Sequence, residues 1–272
     1  MPQPVATFLA HSLSLKTAMA ECLANPTPKS VHWLRATIRR IEATLDLLID
    51  TADLPTLPRQ SKQFRRSLRR IRRAAGAVRD LDVHCELLAT YKTISDATVL
   101  EKDLTVLRGR KQKKLQQHIQ GDARDILAML DKLEPILAPA AELDLSGGSL
   151  AHAARALLAP ALRGLDPSDD EGLHSIRKAC KSARYIAEIG CDVSKSAATL
   201  AKRLIDLQQT IGAWHDHLLL LNEAETALPT DSPLTEKLYV KTRILRRKAK
   251  SKAVRLLARK ASTPSRRTSD VH

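Results

Sequence analysis

The sequence predicts an all-α protein built as two tandem four-helix bundles related by a pseudo-twofold internal symmetry. Three observations carry this expectation. Ala, Leu, Arg and Lys dominate a chain of 272 residues that has only 9 Gly, and no alternating strand pattern competes with helix. Apolar residues recur in steps of three and four along most of the chain. The same order of motifs also occurs twice.

Taken in order, residues 5–24 read as an amphipathic helix, because His11, Ser12, Ser14, Lys16 and Glu21 interrupt the apolar positions. They do not read as a secretion signal. No run of about 18 apolar residues occurs, so no membrane span is expected. Over 31–48, Val31, Leu34, Ile38, Ile41, Leu45 and Leu48 form a bundle seam, with Ser30 as the expected N-cap. Leu54-Pro55-Thr56-Leu57-Pro58 ends that helix. The next, read as one helix, carries Phe64, Leu68, Ile71, Ala75 and Val78. A long polar helix spans roughly 96–132. Pro135, Pro139 and Gly147-Gly148 then mark the best boundary in the chain.

A helix at about 149–164 and an acidic loop, 166–172, open the second half. Leu173, Ile176, Cys180, Ala183 and Ala187 form its first seam. Leu200, Leu204, Leu207, Ile211, Trp214, Leu218 and Leu221 form the next. A turn at 229–233 leads into a basic helix over about 234–261. The expected division is a first bundle at 1–145, a second at 146–261, and a disordered tail at 262–272.

The repeat itself is an apolar-His-x-apolar-Arg-x-x-apolar-basic pattern. It runs Val31-His32-Trp33-Leu34-Arg35-Ala36-Thr37-Ile38-Arg39 and again Leu173-His174-Ser175-Ile176-Arg177-Lys178-Ala179-Cys180-Lys181. At helical spacing the His, the Arg and the later cation share one face. Downstream, Gly76-Ala77-Val78-Arg79-Asp80 aligns with Gly212-Ala213-Trp214-His215-Asp216. The offsets, 142 and 136 residues, differ by an amount a loop absorbs.

Charge points to the partner. The formal net charge is +15, with a pI near 9.9, which calls for nucleic acid, anionic lipid or another polyphosphate. The cations lie one step after the seam in three helices. They are His32, Arg35 and Arg39; Arg65, Arg69, Arg72 and Arg79; and His174, Arg177, Lys181 and Arg184. Guanidinium groups that converge this way repel, by about 0.5–1 kcal/mol per exposed close pair. A polyanion relieves the repulsion. The alternative is pairing with acids, of which Asp80 and Asp216 are the obvious candidates. The last helix adds eleven Lys or Arg between Leu234 and Lys260 against one acid, Glu236, and reads equally well as a solvated face.

Four cysteines without CxxC spacing read as thiols of a reducing compartment, the cytoplasm. No HxxxH or HExxH spacing supports a metal site. A His near a helix start is more often a hydrogen-bonding or anion-contacting residue. No Gly-rich phosphate loop, nucleophile elbow or Mg²⁺-holding carboxylate cluster appears, so neither catalysis nor a cofactor is expected.

These motifs resemble the CHAD domain, the conserved histidine α-helical domain. The resemblance rests on Val31-His32-x-x-Arg35-x-x-x-Arg39-Arg40, Gly76-x-x-Arg79-Asp80-x-Asp82-Val83, Leu173-His174-x-x-Arg177-Lys178-x-x-Lys181-x-x-Arg184-Tyr185 and Gly212-x-x-x-Asp216. It covers about residues 5–260. It implies two four-helix bundles, a basic groove or pore between them, non-enzymatic binding of inorganic polyphosphate, and association with polyphosphate granules and their proteins. It also implies polyphosphate contacts at His32, Arg35, Arg39, Arg40, Arg79, His174, Arg177, Lys178, Lys181 and Arg184. The flanking pattern adds Arg65, Arg69 and Arg72. Many members of that family carry a CYTH triphosphate-processing domain, but its ExExK motif is absent here, since Ala227 stands at the Lys position after Glu223-x-Glu225. Nucleic-acid binding is the alternative. It is weakened by an aromatic content of 3%, because single-strand binders need stacking platforms.

Overall fold

The computed structural model describes residues 1–261, and every regular element among them is helical. The helices are α1 (Pro4–Ala24), α2 (Pro28–Thr51), α3 (Leu57–Ser67), α4 (Arg69–Leu88), α5 (Ser95–Leu137), α6 (Gly147–Ala161), α7 (Asp170–Ile189), α8 (Lys195–Ala227) and α9 (Pro233–Ala261). The tail expected to be disordered lies outside the described residues. No helix among those described is long and apolar enough to cross a membrane.

Local chemistry explains where the helix ends differ from the sequence expectation. Thr27, rather than Ser30, caps α2. Its Oγ1 accepts from the Ser30 N–H at 3.1 Å, and Pro28 takes the first turn, where a missing N–H costs little. The helix expected to run unbroken through Phe64 and Ile71 is two helices that meet at Leu68. There the Ser67 hydroxyl donates to the Phe64 carbonyl at 2.7 Å and competes with the helical ladder. Leu68 is fully buried, so the apolar seam continues through the joint. Helix α5 runs past Pro135. A mid-helix proline costs roughly 3 kcal/mol. Burying Leu133 and Leu137 on either side offsets this, at about 1.5–3 kcal/mol each. Helix α6 starts two residues early, under a Ser146 cap that accepts from the Ser149 N–H at 3.0 Å. It stops at Ala161, and Gly164 turns the chain with φ of 69°.

Three apolar cores hold the helices. The first draws on α1–α5 and includes Phe8, Leu34, Ile41, Phe64 and Ile126. The second draws on α6–α9 around Ile176, Leu204 and Trp214, and takes in Ala43 and Leu47 of α2. The third joins the two hairpins: Leu81 and Leu88 of α4 and Leu100 of α5 pack with Leu220 and Ala224 of α8 and Leu234 of α9. The packing is therefore continuous across residue 145. Helix α2 packs on α4 and α7, and α8 packs on α7 and α4. The four motif-bearing helices thus close a ring.

Candidate functional site

Each copy of the repeat builds the same local unit. In the first, the Arg35 guanidinium of α2 lies over Gly76 of α4. A Cβ at Gly76 would stand 2.8 Å from Arg35 Nη1, so any side chain there would push the guanidinium aside. Asp80, one turn on, is the acid that favours the charged form of Arg35. In the second copy, Arg177 of α7 lies over Gly212 of α8, and its Nη2 stands 4.0 Å from Asp216 Oδ1. A Cβ at Gly212 would meet Arg177 at 3.6 Å, an ordinary contact, so the fit is tighter in the first copy. The Gly-Ala-x-x-Asp motif is thereby explained: the glycine seats the arginine, and the aspartate four residues later faces it. The copies match further. His32 has Arg79 as its strongest charged neighbour, and His174 stacks on His215, with ring centroids 5.2 Å apart. His215 occupies the position of Arg79 in the motif.

The ring of helices brings these units together. Burial lowers the pKa of Arg35. Arg39 of its own helix and Arg177 of the other half act in the same direction, while Asp80 opposes them. Lys181, one turn beyond Arg177, is pulled down to about 7. Burial is the largest cause, followed by Arg177, Arg35 and Arg39, with Asp216 in opposition. Asp216 lies below the usual carboxylate range. Its burial pushes the other way, but the His215 ring beside it and then Arg177 prevail. Arg177, Lys181, Arg184, Gly212, Asp216 and Val83 line a cleft of about 410 Å³. Arg177 Nε is buried there with no hydrogen-bond partner. An unpaired donor among like charges favours an incoming oxyanion.

The remaining predicted residues divide. Arg79 and Arg184 both face His32. They also contact Glu86 at 3.1 Å and Glu188 at 3.3 Å, respectively. Arg40 acts on His32 and on His11 of α1, and exposed Lys178 is the leading charged neighbour of His174. Arg39 is shared between the cluster and Glu42, at 3.4 Å. Arg65 is committed elsewhere: it donates to Asp46 at 2.7 Å and to the Glu42 carbonyl at 3.0 Å. Arg72 pairs with Glu42, and Arg69 is exposed on α4. Arg65 and Arg72 thus face the acids of α2 and are not among the cations that act on Arg35 and Lys181. On α9, Arg246 meets Asp170 at 2.7 Å and Lys252 meets Asp206 at 2.5 Å.

Burial and then neighbouring cations hold both His32 and His174 below the ordinary histidine value. Sequence reasoning missed His215 as a member of the cluster, although its motif alignment with Arg79 held the signal. It also gave Tyr185 no role; Arg184 lies over that ring at 4.3 Å. Among the described residues, no group of three or more His, Cys, Asp or Glu could hold a metal ion. A second hollow of about 540 Å³, between α4, α5 and α8, is floored by Leu81, Leu100 and Leu104 and edged by Asp80, Asp103 and Glu223. With three acids against Lys111 and His84, it is a poorer seat for a polyanion than the basic cleft.

No curated protein matches this chain. Several solved structures resemble it. The CHAD domain from the plant Ricinus communis superposes with a TM-score of 0.61 at 21% identity, over 97% of this chain and 87% of that one. PptA from Streptomyces chartreusis superposes with a TM-score of 0.60 at 20% identity, over 92% and 94%. At such identities the likeness speaks for the fold alone. The CHAD domain family profile matches residues 8–225, so the chain belongs to the CHAD domain family.

Proposed function

We propose that this protein binds inorganic polyphosphate, without turning it over, in the basic cleft lined by α4, α7 and α8 and extending to Arg35 and Arg39 of α2. One observation carries the reading: the charges of Arg35 and Arg39 from one half and of Arg177 from the other all lower the Lys181 pKa, with Asp216 opposing, and Arg177 and Lys181 line one cleft. A small ligand with a single phosphate would satisfy one corner of this cluster. A chain of phosphates reaches both copies, which are otherwise mutually repulsive. Membership of the CHAD family, which is associated with polyphosphate, supports the same reading. The matched contacts of the two copies also support a tandem repeat with internal twofold symmetry, divided near residue 145.

Titration with polyphosphates of graded length, against single-stranded RNA, at two salt concentrations is the test. Affinity is expected to rise with length until both copies are spanned. It is expected to fall by roughly one log unit per log of salt for each phosphate neutralised. Polyphosphate should displace RNA readily, with poor displacement in reverse. Equal competition by RNA would replace this reading with a nucleic-acid one. Arg65→Gln supplies a control. Because Arg65 is held by Asp46, its loss should leave polyphosphate affinity within about twofold while lowering unfolding stability by about 1 kcal/mol. In cells the same binding would place the protein at cytoplasmic polyphosphate granules. A fluorescent fusion that stays diffuse in granule-bearing cells overturns that part.

A further inference from the structure

Lys181 stands one helical turn beyond Arg177, and both line the same cleft. The charges of Arg35 and Arg39 on α2 lower its pKa, and Asp216, which lines the same cleft from α8, opposes them. No hydrogen bond or ion pair of its amine occurs among the described residues. An amine beside an anion-binding guanidinium is placed to react with a reagent that carries both a phosphate and an electrophilic carbon.

We infer that Lys181 is an acylation site for acyl phosphates, which dock their phosphate on Arg177 in the same cleft and transfer the acyl group to the Lys181 amine. This rests on the reading that the cleft binds phosphate, and it assigns a regulation to that site. The amine nitrogen forms a bond to the acyl carbon. The bond from that carbon to the phosphate oxygen breaks, and its electron pair leaves with phosphate. The amine proton goes to the departing phosphate, so the products are an amide and hydrogen phosphate. Two requirements meet here. The nucleophile must be unprotonated to react, and burial with three guanidinium neighbours leaves a sizeable fraction of Lys181 in that form near neutral pH. The leaving group must be held, as the arginines hold phosphate. The amide carries no charge, so acylation removes one cation from the cluster and weakens its hold on polyphosphate.

The test incubates the full chain with acetyl phosphate at neutral pH and, separately, with the N-hydroxysuccinimide ester of acetate, which has no phosphate. Peptide mass spectrometry follows Lys181 and the exposed Lys178. With acetyl phosphate, Lys181 should react at least about tenfold faster than Lys178. Inorganic phosphate should slow Lys181 and not Lys178. Arg177→Gln raises the Lys181 pKa and so should slow Lys181 with both reagents, but several-fold more with acetyl phosphate, which also loses its phosphate seat. Equal rates at the two lysines, or a preference for Lys181 indifferent to phosphate and to reagent, overturn the inference. Polyphosphate titration of the unmodified protein separates the two ideas. Binding without selective acylation overturns this inference alone, and absence of binding overturns the reading beneath it.

Discussion

Replacing Arg35 and Arg177 together with Glu should lower polyphosphate affinity by about a thousandfold, the largest effect of any pair in the cluster. Each guanidinium contributes charge-assisted bonds of about 1.5–3 kcal/mol. Losing both removes roughly 4 kcal/mol, which is three decades of Kd. The salt dependence should flatten as well, because two fewer counterions are released and two carboxylates now repel the ligand. The fold should survive. Neither arginine anchors a helix cap or fills a core, and in the free protein each bears the repulsion of the other and of Lys181. Circular dichroism and thermal unfolding establish that the variant is folded, and direct titration then measures Kd. An affinity within threefold of the parent would remove the central cleft as the binding site.

The second large effect is on pH. In the free protein Lys181 titrates at about 7. A polyanion laid beside it stabilises the ammonium and raises that value, so binding takes up a proton. The sign follows. The contribution is complete below about pH 7 and is lost as pH rises toward the bound-state value, by up to about tenfold per unit. Between pH 7 and 8.5 affinity should therefore fall about twentyfold. His32 and His174 titrate below the ordinary histidine value, so they add a further strengthening only on the acid side of that window. Long chains are the right ligand, since their interior phosphates stay ionised throughout. Lys181→Met should abolish the slope between pH 7 and 8.5 and leave the acid-side rise. A parent protein with flat affinity across that range would show that Lys181 does not face the ligand.

These effects depend on a distinction between two kinds of arginine that look alike in sequence. Arg35 and Arg65 both follow a seam position by one residue. Arg35 sits over a glycine, among cations of the other half, whereas Arg65 reaches Asp46 and the Glu42 carbonyl. Which acid an arginine meets depends on which helix crosses it, and helix crossing is a matter of packing, not of spacing. The segment read as one helix is two helices that meet at Leu68, and Arg65 and Arg72 on either side of that joint pair with acids of α2.

The sequence alone determined the helical class, because composition and the three–four period leave no room for strands. It also determined the order of the repeated motifs along each half. Those properties are local or nearly so, and a periodic seam commits a segment to burying one face. Only the tertiary structure decided that α2 meets α7, that Arg35, Arg39, Arg177 and Lys181 share one charged neighbourhood, and that Lys181 gives up its proton near neutrality. A side chain's charge state follows from its distance to other charges and its access to water, and both are properties of the assembled ring of helices.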